Sequence, residues 1–206
     1  MILKKATDIF SEWALQDRDS GMEKNHMTAV NTMLNELVQY QRNPFSFVDA
    51  GCGNGWVVRK INKHPLCNRA IGVDGAFEMI RKAQKIDPNG EYIHSELLKW
   101  KPDIKVDFVH SMEVIYYFEN PMEIISHIVN NWMKFKGRII MGIDYYTENK
   151  KSHSWPYDLK TNMALLSKND WIEVFNACGL KNINIFQTNA EGDFPGTLVI
   201  NGTKIQ

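Results

Sequence analysis

The sequence predicts an α/β protein with a doubly wound, seven-stranded and mostly parallel sheet, preceded by helices. Three observations carry that prediction. Five short apolar runs, beginning near Phe47, Ala70, Glu91, Val106 and Arg138, alternate with helical patterns, the order that builds a parallel sheet from strand–helix–strand units. The first run breaks into alternating glycines, Gly51, Gly53 and Gly55, and resumes at once with helical spacing at Val57, Val58 and Ile61. The chain closes on two alternating runs, Leu180–Thr188 and Gly196–Thr203, joined by Glu191–Pro195, which reads as an antiparallel hairpin.

Length and composition narrow the class. The 206 residues suit one domain with a full core. Residues 1–43 are expected to form a helical cap, and residues 144–166 a lid. Lys+Arg and Asp+Glu both number 24, giving zero formal net charge. Such a chain has no global basic field to draw it to nucleic acid. The three cysteines form no C-x-x-C pair and leave an odd thiol, and no leader peptide is visible. That pattern suggests a reducing cytoplasm. No apolar run approaches the ~20 residues of a membrane span. The six histidines and three cysteines show no metal-ligand spacing.

In chain order, Ala6–Gln16 carries Ile9, Phe10, Trp13 and Ala14 on one helical stripe. Asp17–Gly21 is a polar break. A second helix runs from Met22 or Glu23 to Gln39, burying Met27, Val30, Met33, Leu34, Leu37 and Val38. Then comes Phe47-Val48-Asp49-Ala50-Gly51-Cys52-Gly53-Asn54-Gly55-Trp56, a buried strand running into a glycine turn and a helix. Glycines here let the backbone bend sharply and let a ligand touch the main chain. A dinucleotide fold wants G-x-G-x-x-G, but the third glycine position holds Trp56. The Asp49 carboxylate would also repel a pyrophosphate, whereas it favours an ammonium or sulfonium. A second short strand, Ala70–Asp74, ends in another acid about 20 residues on, the place where α/β nucleoside sites bind ribose hydroxyls. Asp74 also suits a helix N-cap.

The D-x-G-x-G-x-G run from Asp49 to Gly55 resembles the first motif of class I, Rossmann-like S-adenosylmethionine (SAM) methyltransferases. Gly72-Val73-Asp74-Gly75-Ala76-Phe77-Glu78-Met79 resembles their second strand and helix start. The resemblance implies a SAM site, with S-adenosylhomocysteine as its product, built from Asp49, Gly51, Gly53, Gly55, Trp56, Asp74, Gly75 and Phe77. It implies that Glu96 and Leu97, after the third strand, meet the adenine, although an aspartate is commoner there. It implies that Met112 underlies the methionine part and that Arg18 pairs with a carboxylate of SAM or of the substrate. A local partner, Asp17 or Asp19, suits Arg18 equally. The leading helices would lie over the cofactor mouth, bringing Met22 and His26 to the site.

The remaining elements follow from punctuation. The helix from Gly55 to Asn62 stops before His64-Pro65, and the next runs from Ala76 to about Ile86, ahead of the turn Asp87–Gly90. Asn120-Pro121-Met122-Glu123 starts a helix expected to reach Met133, with Lys134, Lys136 and Arg138 as its solvated end. Arg138–Ile143 reads as a strand buried on both faces. About 25 residues then separate it from the next helix, a length that is functional or disordered in most compact domains. Two Tyr, a Trp and a His argue against disorder. Ser167–Asp170 has capping-box form, and Gly179 is a helix stop.

Together these readings point to methyl transfer from SAM to oxygen or nitrogen of a small molecule. Ser111-Met112-Glu113-Val114 stands where relatives acting on base or glutamine amino groups carry Asn/Asp-Pro-Pro-Tyr, so that chemistry is disfavoured. Candidate bases are His26, Glu113, Asp144 and His153. Candidate acceptor contacts are Met22, Tyr117, Tyr146 and Trp155. No metal is called for. An RNA-modifying methyltransferase and a non-catalytic SAM-binding regulator are the alternatives.

Overall fold

The computed structural model describes residues 3–205. Met1, Ile2 and Gln206, which belong to the expected domain span, lie outside the described residues. Seven strands form one sheet: β1 (Phe45–Ala50), β2 (Cys67–Asp74), β3 (Glu91–His94), β4 (Val106–Met112), β5 (Met133–Ile143), β6 (Leu180–Thr188) and β7 (Thr197–Lys204). Their order is β3-β2-β1-β4-β5-β7-β6. The first five pair in parallel, and β7 runs antiparallel to both β5 and β6. The order reverses between β1 and β4, and the crevice at such a switch point is where open α/β sheets bind ligands.

Strand alternation sends neighbouring residues to opposite faces. Val48, Ile71, Val109 and Ile139 join one apolar core. It contains Ile124 and Ile125 of α5 (Pro121–His127) and Trp171 and Phe175 of α7 (Lys168–Ala177). Phe47, Ala70, Phe108 and Ile140 join the other, with Met33 and Leu37 of α2 (Met22–Val38) and Val58 and Ile61 of α3 (Trp56–Ile61). The remaining helices are α1 (Ala6–Leu15), α4 (Phe77–Ile86) and the short α6 (Trp155–Leu159). Asn120 caps α5 by accepting the Met122 N–H, and the Ser167–Asp170 box closes on α7 in both directions.

One boundary differs from expectation. The α-helical part of α5 ends at His127, residues Ile128–Trp132 widen into a π-helical turn, and β5 begins at Met133. Lys134, Lys136 and Arg138 are therefore strand residues and not a solvated helix end. Trp132 donates its indole N–H to the Trp100 carbonyl at 2.8 Å, which stops the helix against the β3–β4 connection. Met133 pairs with Val106 and Arg138 with Phe108, so residues 134–137 loop out between them. Lys134 reaches the Asp107 carboxylate at 2.8 Å, and Arg138 donates to the Glu36 carbonyl at 2.9 Å.

The excursion 144–166 is ordered, with a 3₁₀ turn at Lys150–Ser152 and then α6. Thr147 N–H meets Leu166 O at 3.0 Å, and Ala164 N–H meets Tyr116 O at 2.7 Å. Its far end is tied to the start of the chain. Lys4 N–H donates to Lys160 O at 2.8 Å, and Thr161 Oγ1 donates to Lys4 O at 2.9 Å.

Candidate active site

The carboxyl ends of β1, β2 and β4 converge on the glycine turn. Gly51 has φ of 78°, and a side chain there would meet Val114 within 2.2 Å. Gly53, also left-handed at 52°, has nothing nearer than the Met79 sulfur, 3.9 Å from where a Cβ would stand. This turn therefore leaves open backbone facing the crevice. Gly53 N–H donates to Asp74 Oδ2 at 2.8 Å, and Ala76 N–H donates to Oδ1 at 2.7 Å. Asp74 thus ties the glycine turn to the entry of α4. Burial raises its pKa, and the two N–H groups oppose that rise.

Asp49 has a partner that the sequence reading did not single out. His110, its register neighbour on β4, lies with Nδ1 2.7 Å from Asp49 Oδ1, and both side chains are buried. The far ring nitrogen of His110 has no hydrogen-bond partner among the described residues. The one available signal was topological: once β1 and β4 are adjacent, residues 49 and 110 sit side by side.

Two neighbouring cavities occupy the crevice. The first, of about 410 Å³, is lined by Arg18, Met22, His26, Asp49, Gly51, Gly53, Trp56, Asp74, Met112, Glu113, Tyr117 and Trp155 among the anticipated residues. Phe10, Trp13, Asn25, Asn54 and Asp158 line it as well, and were not anticipated. The second, of about 730 Å³, takes Gly75, Glu96 and Leu97 and shares Gly51, Asp74, Glu113 and Tyr117. Phe10 of α1 meets Tyr117 edge-on at 5.5 Å and lines both cavities.

The polar break before α2 is built around Asp19, which is fully buried. Lys82 bonds both Asp17 and Asp19, at 2.8 and 2.7 Å, and Asn54 donates to Asp19 at 2.8 Å. Neither acid pairs with Arg18. Its guanidinium lies over the Trp13 ring, 4.6 Å from the centroid, at the cavity wall.

Five anticipated residues line neither cavity. Gly55 caps α3 beneath Tyr92, where a Cβ would come within 2.3 Å of the ring. Phe77 is 53% exposed and stands edge-on to His94. Tyr146 is core: its hydroxyl donates to Gly196 O at 2.8 Å and accepts from Gln187 at 2.7 Å. His153 is exposed, with its ring 3.1 Å from Thr147 O. Asp144 stands behind the wall, with its Oδ1 buried and without a hydrogen-bond partner among the described residues.

The Asp144 charge is nevertheless felt at His26, which does line the cavity. Burial lowers the His26 pKa, and the Asp144 charge opposes that shift. Glu113 is clamped: its carboxylate accepts the Tyr116 hydroxyl at 2.8 Å and the Asp144 backbone N–H. It holds a left-handed φ of 58°, and burial pushes its pKa well up. That arrangement ties Glu113 into the wall, while His26 lines the same cavity. Among the described residues no group of three or more His, Cys, Asp or Glu could hold a metal ion.

A family model described as a methyltransferase domain matches residues 22–185. The chain belongs to the class I, SAM-dependent methyltransferase family. This methyltransferase is 23% identical over 82 residues to trans-aconitate 2-methyltransferase of Escherichia coli (strain 55989 / EAEC), covering 40% of this chain and 32% of the relative. The chain spans about a third to a half of the length of the curated relatives it matches. Its fold matches a putative methyltransferase of Haloferax volcanii, solved in complex with the Trm112 methyltransferase activator, with a TM-score of 0.80 and 24% identity over the whole of both chains. It also matches a possible histamine N-methyltransferase from Thermotoga maritima, with a TM-score of 0.74, 17% identity, and 96% and 98% of the two chains covered.

SAM suits this methyltransferase's crevice. Open backbone at Gly53 gives a long ligand room to lie across the turn, Asp74 keeps lone pairs for hydroxyls, and Asp49 places negative charge near a cation.

Proposed function

We propose that this methyltransferase transfers the SAM methyl group to oxygen or nitrogen of a small-molecule acceptor. One observation carries the reading. The glycine turn, Asp49 and Asp74 line the same largely apolar cavity of about 410 Å³ as His26, Tyr117 and Trp155, a size that suits a metabolite. Bound SAM supplies a methyl group already activated by its sulfonium. In this reading the chain's own residues bind, orient and take a proton. Asp74 accepts the ribose hydroxyls, Glu96 and Leu97 meet the adenine, and Arg18 holds the methionine carboxylate. His26 accepts the acceptor's proton, with Asp144 behind it. Trp155 and α6 cover the acceptor and exclude water. Alignment of the reacting atoms contributes ~7–11 kcal/mol.

The reading takes the chain as one domain acting in the cytoplasm. Cys52, Cys67 and Cys178, all unpaired, support a reducing compartment. No described helix is long and apolar enough to cross a membrane.

The test is calorimetric titration with S-adenosylhomocysteine, for wild type and Asp74→Ala. Micromolar binding, reduced about tenfold or more in the variant, is expected, as two acceptor sites for ribose are lost. Absence of binding to wild type would sink the reading. Binding without transfer to any member of a metabolite panel would favour a regulatory SAM-binding role.

A second reading draws on the full-length likeness to the Haloferax volcanii chain solved with the Trm112 activator. In it, this methyltransferase works beside a small activator protein on RNA. Salt-dependent RNA binding, absent from the small-molecule reading, distinguishes the two.

A further inference from the structure

We propose that the acceptor is a nitrogen compound without an acid group, an amine or an N–H heterocycle, and not a carboxylate. The proposal rests on the SAM reading above. Its ground is the distribution of charge around the first cavity. Of the carboxyl side chains on that wall, Asp49 and Asp74 are given above to the donor and Glu113 is bonded to the Tyr116 hydroxyl, which leaves the exposed Asp158 for the acceptor; among the described residues Arg18 is the one permanent cation there. No lysine lines it. Arg18 lies over Trp13 and is the residue assigned above to the methionine carboxylate of the donor. An acceptor carboxylate would then sit in a largely apolar cavity with carboxyl groups and no cation, an arrangement that costs free energy.

Tyr117 and Trp155 also line this cavity, and aromatic ring faces attract cations. Asp158 of α6 adds a carboxylate, held by the Ser154 hydroxyl at 2.8 Å. His26 supplies the proton acceptor, and its burial favours the neutral imidazole.

The charge balance of the reaction agrees. An ammonium acceptor first gives a proton to water, and the lone pair so freed forms the new N–C bond as the S–C bond breaks, with that bonding pair staying on sulfur as the neutral thioether. Positive charge passes from sulfur to nitrogen, and the N–H proton then leaves to His26. Once the acceptor is neutral, the cavity holds one positive charge to the end of the reaction. With a carboxylate acceptor the charges would instead annihilate, and the wall would be left unbalanced.

The experiment uses protein saturated with S-adenosylhomocysteine and matched probes: phenethylamine, benzimidazole and 3-phenylpropionate. Calorimetry should show at least one of the two nitrogen probes binding about tenfold or more tightly than the acid. Asp158→Asn should weaken phenethylamine several-fold with S-adenosylhomocysteine affinity unchanged, and Asp158→Lys should invert the preference towards the acid. Label from methyl-tritiated SAM should enter nitrogen probes only. Equal or tighter binding of the acid, binding of no probe, or a preference untouched by both substitutions would overturn the proposal while the SAM reading stands. Failure of S-adenosylhomocysteine itself to bind would overturn both.

Discussion

At the scale of the residue, the site divides by how local its determinants are. Asp49, Gly51, Gly53 and Asp74 were legible because the turn needs their backbone freedom and charge within a few positions. Trp155 and Tyr117 line the cavity as anticipated. Tyr146 and His153 do not, because the way a side chain faces within an excursion is fixed by distant partners. Gly196 and Gln187 capture the Tyr146 hydroxyl from the closing hairpin, about 40 to 50 residues away. Nothing near Tyr146 in sequence announces that. His26 carries the pH prediction. Burial holds its pKa below the ordinary imidazole value of 6.5, with Asp144 the one charge set against it. As the proposed base, His26 is therefore expected to be neutral at neutral pH. Activity is expected to fall as pH drops through that lowered value, so the acid limb of the kcat/KM profile lies below pH 6.5. His26→Gln should lower the rate about 10²-fold or more and erase the limb. A profile unchanged by the substitution would move the proton to another group.

At the scale of the element, capping chemistry was read directly: Asn120 and Ser167 sit one residue before α5 and α7 and form the bonds their types suggest. The start of β5 was not legible. Its alternation is interrupted by Lys134, Lys136 and Gly137, and the bulge they form exists because Asp107 and Ser46 on two other strands hold Lys134. Asp107 accepts from Lys134 Nζ at 2.8 Å, and from Ser46 N–H and Oγ at 2.8 and 2.7 Å. Those donors lower its pKa against the opposing pull of burial. A carboxylate with a depressed folded pKa adds stability above its unfolded value, and that stability is lost as pH falls through the folded value. Thermal melts should therefore separate wild type from Asp107→Asn at pH 7 and converge as pH falls through the lowered folded value of Asp107, where both side chains become uncharged. Curves that stay apart in acid would assign the effect to shape and not to charge.

At the scale of the whole molecule, the sheet was legible because each parallel strand carries its own apolar run and each crossover its own helix signals. The order β3-β2-β1-β4-β5-β7-β6 then puts three strand ends beside one turn. The relation between the two ends of the covering layer was not legible. Lys4 is bonded to Lys160 and Thr161, the latter 157 residues away in sequence, and neither segment carries a motif that names the other. This stitch joins the strap that lines the second cavity to the helix that closes the first. The expected consequence is that the two compartments open together, with release of spent donor, entry of a new acceptor and the slow step of turnover all set by that opening. The expected signature is hydrodynamic: kcat should fall as sucrose raises solvent viscosity. Thr161→Val, with the stitch half undone, should turn over faster and feel the viscosity less. A rate indifferent to viscosity in both proteins would return the slow step to the chemistry.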